Sequence, residues 1–243
     1  MVLRPGCNGY TGCPNGAGVN GVALPMLNQL LQEGLTAMGC PLGADIQAKL
    51  LAYVRLLEKW NRTYNLTAVR EPAQMVPRHL LDSLAILPYL KGPRILDIGT
   101  GAGLPGIPLA LARPDLRFVL LDSNAKKTRF VTQACAELGL KNVEIVNQRV
   151  EKYRPDAPFD TIVSRAFSTI TDMLVASRPV CGAAGRFLAM KGIYPQEELA
   201  AMPPGYKVCG VPALAVPGLP AERHVVIIVP ADPNQLNPCN ETS

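Results

Sequence analysis

Four glycines fall within eight residues, Gly99, Gly101, Gly103 and Gly106, directly after the apolar run Arg94–Ile98, and an acid, Asp97, sits two residues before the first of them. Glycine tolerates positive φ and lets a ligand approach the backbone closely, and a helix starting behind such a turn points free N–H groups at that ligand. A plain strand-to-helix turn needs one glycine, so four point to a bound small molecule. Gly101-Ala-Gly103-Leu-Pro-Gly106 also satisfies the G-x-G-x-x-G fingerprint of dinucleotide sites, and Asp122 follows at about the ~20-residue distance at which an acid there binds a ribose. On these residues alone an NAD-dependent oxidoreductase stays open as an alternative.

Asp97 weighs against it. A carboxylate beside the turn repels a pyrophosphate, whereas S-adenosyl-L-methionine presents a sulfonium and an ammonium that an acid helps to bind. The bland alternative for Asp97 is that it satisfies the amides of its own loop. Val150 and Glu151, just beyond the third apolar run, place an apolar side chain next to a polar one, a pair suited to packing on adenine and reading its edge. The expected activity is methyl transfer from S-adenosyl-L-methionine, with Asp97, Gly101 and Asp122 in the cofactor site.

Such a site needs a rigid frame. Arg94–Ile98 and residues 118–122 are short apolar runs, each followed by a helix-like stretch, and Val143–Val146 and residues 161–163 continue the alternation. This β-α order predicts an α/β fold with a mostly parallel sheet covered on both faces, its ligands outside the carboxyl ends of the strands. The helix after Asp122 reads as Ser123 for the N-cap, residues 126–138 for the body and Gly139 for the C-cap. Residues 187–190 predict a further strand. Residues 206–211 and 224–229, joined by a Pro- and Gly-rich connection, predict an antiparallel hairpin at the sheet edge.

Ahead of the frame, Leu27, Leu30, Leu31 and Leu35, then Ile46, Leu50, Tyr53, Val54 and Leu57, recur at helical spacing, and a third helix runs from Pro72 through Met75, Leu80 and Leu84 towards Pro88. The chain therefore divides into a Gly-rich extension read as disordered (1–25), an N-terminal helical appendage (26–90), a Rossmann-like core (91–230) and a polar tail (231–243).

Composition sets outer limits. With 243 residues, 48% hydrophobic, the chain can bury one full core with an appendage. No apolar run approaches the ~18–20 residues of a membrane span. Residues 1–25 carry six Gly, three Pro and three Asn, without the ~7–15-residue apolar block of a secretory signal. No membrane partner and a cytoplasmic address are expected. The seven cysteines (Cys7, Cys13, Cys40, Cys135, Cys181, Cys209, Cys239) are odd in number and contain no C-x-x-C pair, so free thiols and no metal are expected. A formal charge of +5 favours a polyanionic partner only where the cations share a face.

Several segments carry a more specific resemblance: Lys59-Trp-Asn-Arg-Thr-Tyr-Asn-Leu-Thr67, Arg78-His-Leu-Leu-Asp-Ser83, Gly99-Thr-Gly-Ala-Gly-Leu-Pro-Gly-Ile-Pro108, Leu120-Leu-Asp-Ser123, Ser164-Arg-Ala-Phe167 and Leu188-Ala-Met-Lys-Gly192. Over residues 26–229 the chain resembles the class I methyltransferases and, within them, the RsmG (GidB) family of 16S ribosomal RNA guanine-N7 methyltransferases. It departs from that pattern at Ala102, where the family often has Pro, and before Met26, where the Gly-rich segment has no counterpart. The resemblance implies a seven-stranded Rossmann-like sheet and S-adenosyl-L-methionine held by Gly99, Leu104, Asp122, Val150 and Glu151. Gly99 and Leu104 would line the methionine side, Asp122 would bind the ribose hydroxyls, and Arg165 would lie beside cofactor or target. It implies 16S ribosomal RNA or the small ribosomal subunit as partner and 7-methylguanosine as product.

Guanine N7 keeps a free lone pair, so no catalytic acid or base is expected, and positioning can supply up to ~7–11 kcal/mol of the barrier. Arg165 is the candidate orienter, since a guanidinium matches the O6 and N7 edge of guanine, although it must release N7. His79 accordingly reads as structural or RNA-facing. Trp60 and Tyr64, four apart on one helix face, read as core packing ahead of base stacking. Arg62, Arg78, Lys126, Arg149 and Lys191 are the candidate phosphate contacts, weighty only as a group. A monomer is the expected state. A methyltransferase acting on a small molecule and a non-catalytic ribosome-binding protein stay open beside the RNA methyltransferase.

Overall fold

The computed structural model describes residues 24–165 and 167–231. The apolar runs form seven strands: β1 (Arg94–Ile98), β2 (Arg117–Leu121), β3 (Val143–Val146), β4 (Phe159–Ser164), β5 (Cys181–Lys191), β6 (Tyr206–Gly210) and β7 (His224–Pro230). They make one sheet in the order β3-β2-β1-β4-β5-β7-β6. The first five are parallel, and β7 pairs antiparallel with both β5 and β6, giving the expected edge hairpin. Strand order reverses around β1, whose neighbours are β2 and β4, so the crevice for a ligand opens at its carboxyl end.

Side chains alternate across the sheet. Ile95, Phe118 and Leu120 join one apolar cluster, while Leu96, Ile98, Val119 and Leu121 join another on the opposite face. The first cluster also contains Leu31 of α1 (Leu24–Ala37), Leu57 of α2 (Ala44–Tyr64) and Leu84, so the N-terminal helices share a core with the sheet. Trp60 packs against Phe130 with ring centroids 5.6 Å apart and stacks on Tyr64 at 5.2 Å; Trp60 lies against the core while Tyr64 is exposed.

The third helix departs from expectation. It begins as α3 (Pro72–Met75), widens into a π turn (Val76–Leu81) and resumes as α4 (Asp82–Leu84). Pro77 has no N–H to continue the α ladder, and the Asp82 N–H reaches back five residues to the Pro77 carbonyl. Arg78 and His79 of that turn, and Asp82 next to it, line a cavity with Arg165 and Lys191, at the carboxyl ends of β4 and β5.

Behind the strands come α5 (Gly106–Ala112), α6 (Ala125–Leu138), α7 (Ile170–Ser177) and α8 (Gln196–Ala200). The N-cap of α6 is Asn124 and not Ser123: its side chain accepts from the Lys126 and Lys127 N–H groups, while Gly139 closes the helix in the left-handed region as expected. Cys209 is disulfide-bonded, against the expectation of free thiols, whereas Cys40, Cys135 and Cys181 are free. No helix among the described residues is long and apolar enough to cross a membrane. The expectations for residues 1–23 and 232–243 lie outside the described residues.

Candidate functional site

The glycine loop leaves β1 and is held by two acids. Oδ2 of Asp97 accepts the Thr100 hydroxyl at 2.6 Å and the Gly106 N–H at 2.9 Å, tying the start of the loop to the start of α5. Its other oxygen is buried and has no hydrogen-bond partner among the described residues. Burial pushes the Asp97 carboxyl up to about 6, against the pull of those two hydrogen bonds. Both readings of Asp97 therefore meet in one side chain: one oxygen serves the loop, and the other is an unspent acceptor beside it.

Asp122 directly follows β2. Its Oδ2 accepts the Gly101 N–H at 2.9 Å and its Oδ1 the Asn124 N–H at 2.8 Å, while its own carbonyl takes the Asn147 amide at 2.9 Å. A carboxylate has about four lone-pair sites, so these two bonds leave acceptor sites on Asp122.

The four glycines divide into two pairs. A Cβ built on Gly99 meets nothing within 4 Å, and one on Gly101 meets only the Gly99 carbonyl at 3.8 Å, so open space lies in front of both. One on Gly103 would strike the Ile107 side chain, and one on Gly106 the Leu120 side chain and, at 2.8 Å, Asp97 Oδ2. The first pair keeps a cradle for a ligand; the second lets α5 pack against the strands. Leu104 is buried in the loop, and the Tyr53 hydroxyl of α2 donates to the Ala102 carbonyl at 2.7 Å, so an N-terminal helix buttresses the cradle. Val150 is buried on a short 3-10 turn beyond β3, with Glu151 exposed beside it.

Next to this cradle, at the carboxyl ends of β4 and β5, is a cavity of about 360 Å³ lined by Arg78, His79, Asp82, Arg165, Lys191 and Arg223, among others. Asp82, buried to 4% side-chain exposure, receives Arg223 Nε at 3.0 Å and Arg165 Nη1 at 3.4 Å. Burial raises its carboxyl and the two guanidinium groups oppose the rise. The Arg165 charge also acts on Asp97, lowering its carboxyl slightly against the effect of burial.

His79 is buried with both ring nitrogens occupied, Nδ1 by the Arg78 carbonyl at 2.9 Å and Nε2 by the Thr67 hydroxyl at 2.9 Å. Burial, reinforced by the Arg165 charge, lowers its pKa to about 4. Burial keeps it neutral, and it lines the cavity while both its ring nitrogens bond within the protein.

Of the five candidate phosphate contacts, Arg78 and Lys191 line the cavity, and Arg62, Lys126 and Arg149 do not. Lys191 is bonded to both carboxylate oxygens of Glu198 at 2.8 Å, so its charge is spent within the protein. Arg62 is exposed and pairs with Glu58 at 2.7 Å; Lys126 and Arg149 are exposed. Reasoning from residue types missed Asp82, Arg223, Asn147 and Thr100. Thr100, three residues after Asp97, had a local signal, and Asp82 stands inside a segment that carries the resemblance. Arg223 and Asn147 had none.

The rRNA small subunit methyltransferase G family matches residues 46–226. A ribosomal RNA small subunit methyltransferase G from Nitrosococcus oceani is 52% identical over 201 residues, 83% of this chain and 94% of that protein. One of the same name from Pseudomonas aeruginosa is 54% identical over 199 residues, 82% of this chain and 93% of that protein. Among solved structures, a SAM-dependent methyltransferase from Aquifex aeolicus superposes with a TM-score of 0.53 at 18% identity, covering 64% of this chain and 93% of that one, which shows the fold.

Proposed function

Because the chain belongs to the rRNA small subunit methyltransferase G family, we propose that it methylates N7 of a guanine in 16S ribosomal RNA, in the small ribosomal subunit. It is a class I S-adenosyl-L-methionine-dependent methyltransferase. The oxidoreductase alternative has no support in that kinship. The structural observation behind the proposal is a set of two unlike pockets at the carboxyl ends of the strands: a glycine cradle beside an unspent buried acid oxygen, and a cavity lined by guanidinium groups.

The residues present fit the cofactor. Open space at Gly99 and Gly101 admits it, the free Asp97 oxygen suits its cationic end, and the spare lone pairs of Asp122 suit its ribose. Leu104, Val150 and Glu151 complete the proposed holding set. When bound, S-adenosyl-L-methionine supplies an electrophilic methyl group on a sulfonium. What this chain adds is position. Arg165 orients the base through O6 and leaves N7 free to attack in line, and the neutral, doubly bonded His79 takes no proton. Lys126 and Arg149, both exposed, are the outlying contacts for flanking phosphates, with Arg62 available only at the expense of its pair with Glu58. We place the reaction in the cytoplasm and take the monomer as the working unit.

The test is transfer of labelled methyl from S-adenosyl-L-methionine to small subunits lacking the modification, followed by nucleoside analysis. The expected product is 7-methylguanosine. Folded protein that binds the cofactor yet labels neither subunit nor extracted RNA would leave the fold standing and overturn the substrate.

A further inference from the structure

Asp82, Arg165 and Arg223 come from three separate parts of the chain, the start of α4, the residue after β4 and the connection before β7, and meet at one wall of the 360 Å³ cavity. Asp82 is buried, while both arginine side chains keep 26% of their surface exposed. Arg165 uses Nη1 for Asp82 and for the Arg78 carbonyl; Arg223 uses Nε for Asp82 and Nη1 for the Glu222 carbonyl. A guanidinium carries five N–H donors, so each keeps donors for a ligand. Glu198 neutralises Lys191, which leaves Arg78, Arg165 and Arg223 facing the cavity against the single charge of Asp82. The excess is cationic, and the donors form forks, the geometry that matches a phosphate.

Resting on the RNA reading above, we propose that Asp82 is a positioning residue that bridges Arg165 and Arg223 into a seat for a backbone phosphodiester next to the target guanine, with Arg223 its principal ligand contact. The carboxylate is too enclosed to read the base itself. Its part is to hold two long side chains in one arrangement before RNA arrives, so that their ordering is not left to the binding step. The same forks would suit another anion, the carboxylate of the cofactor's methionine portion, and the experiment separates the two.

Arg223→Gln, Arg223→Lys, Asp82→Asn and the double variant Asp82→Asn/Arg223→Gln are compared with the unaltered protein. The readouts are the KM and kcat for small subunits, the salt dependence of subunit binding, and the Kd for S-adenosyl-L-methionine. Arg223→Gln is expected to raise the KM for subunits about tenfold to a hundredfold and to reduce the salt slope by about one, with the cofactor Kd within about twofold. Arg223→Lys recovers the slope but only part of the KM, because an ammonium cannot form the fork. Asp82→Asn raises the KM with the slope kept, and the double variant raises it by less than the product of the two single effects, as expected of residues acting together.

An unchanged KM and slope in Arg223→Gln overturns the seat even if Asp82→Asn fails to fold. A raised cofactor Kd with unchanged subunit KM assigns the forks to the cofactor carboxylate and overturns it too. If the unaltered protein labels no RNA, the functional reading fails by itself, and the salt slopes of subunit binding still decide whether the seat exists.

Discussion

The glycine loop and the arginine-lined cavity are each organised by a buried acid, and the two acids are wired differently. The partners of Asp97 are neutral, a hydroxyl and an amide from within nine residues, and they leave one oxygen unbonded. The partners of Asp82 are two guanidinium groups 83 and 141 residues away, and both its oxygens are taken. Neutral donors cannot offset the loss of water around a charge, so Asp97 rises to about 6 and remains an acceptor for a cation. Cationic donors oppose that loss at Asp82, whose carboxyl burial still raises, and the surplus of positive charge there faces the cavity. One acid prepares a place for a cationic ligand, and the other prepares cations for an anionic one.

The sharpest way to break that contrast is to damage the cradle alone. Asp122→Ala removes the acceptor that holds the Gly101 N–H and, in our reading, the ribose. Loss of charge-assisted hydrogen bonds worth about 1.5–3 kcal/mol each predicts a fall in cofactor affinity of about a hundredfold or more, read by calorimetry. Subunit binding should stay within about threefold, the mirror image of Arg223→Gln. If Asp122→Ala weakens subunit binding as much as cofactor binding, the two pockets are one site and the division is wrong.

A smaller effect separates the roles inside the loop. Gly106→Ala drives a methyl into Leu120 and Asp97 Oδ2 and should cost about 1–3 kcal/mol of stability by overpacking. Gly99→Ala meets open space and should cost only the about 1–2 kcal/mol of a left-handed non-glycine residue, while its methyl occupies the cradle. Melting temperature should therefore fall more for Gly106→Ala, and cofactor Kd should rise about tenfold for Gly99→Ala once its effect on folding is allowed for. Equal effects on both readouts would show that the glycines do not divide as described.

The cradle was legible in the sequence because it is local. Asp97, the glycines and Asp122 span one β-α-β unit, and strand ends can be read from apolar runs. The cavity was legible only in part: Arg78, Arg165 and Lys191 were among the candidates, but Arg223 sits in a Pro- and Gly-rich connection with no periodicity, and nothing near it in the chain announces Asp82. The spent charge of Lys191 was equally hidden, since Glu198 belongs to a helix that only the fold brings within reach. Pro77 was visible, but whether a proline ends a helix or widens it depends on what packs against the turn. Ser123 and Asn124 are both good caps; the choice fell to Asn124, whose own N–H is taken by Asp122.

The smallest effect concerns protons, and it sets the two regions against each other. His79 is neutral in the folded protein with its pKa lowered to about 4, whereas an unfolded histidine takes a proton near 6.5. Its contribution to stability is thus present above pH 6.5 and lost as pH falls towards 4, by at most about 3 kcal/mol. Asp97 runs the other way. With its carboxyl raised to about 6, its contribution is fully present below pH 3.8 and is lost as pH rises through 6. Over pH 4 to 6 the two oppose, so the unaltered protein should show a shallow dependence of stability on pH. His79→Gln keeps a donor and an acceptor for Arg78 and Thr67 but takes no proton, so it should become more stable relative to the unaltered protein as pH falls from 6.5 to 4. Denaturant titrations at several pH values read this difference directly. Parallel curves for the two proteins would mean that burial does not hold His79 neutral.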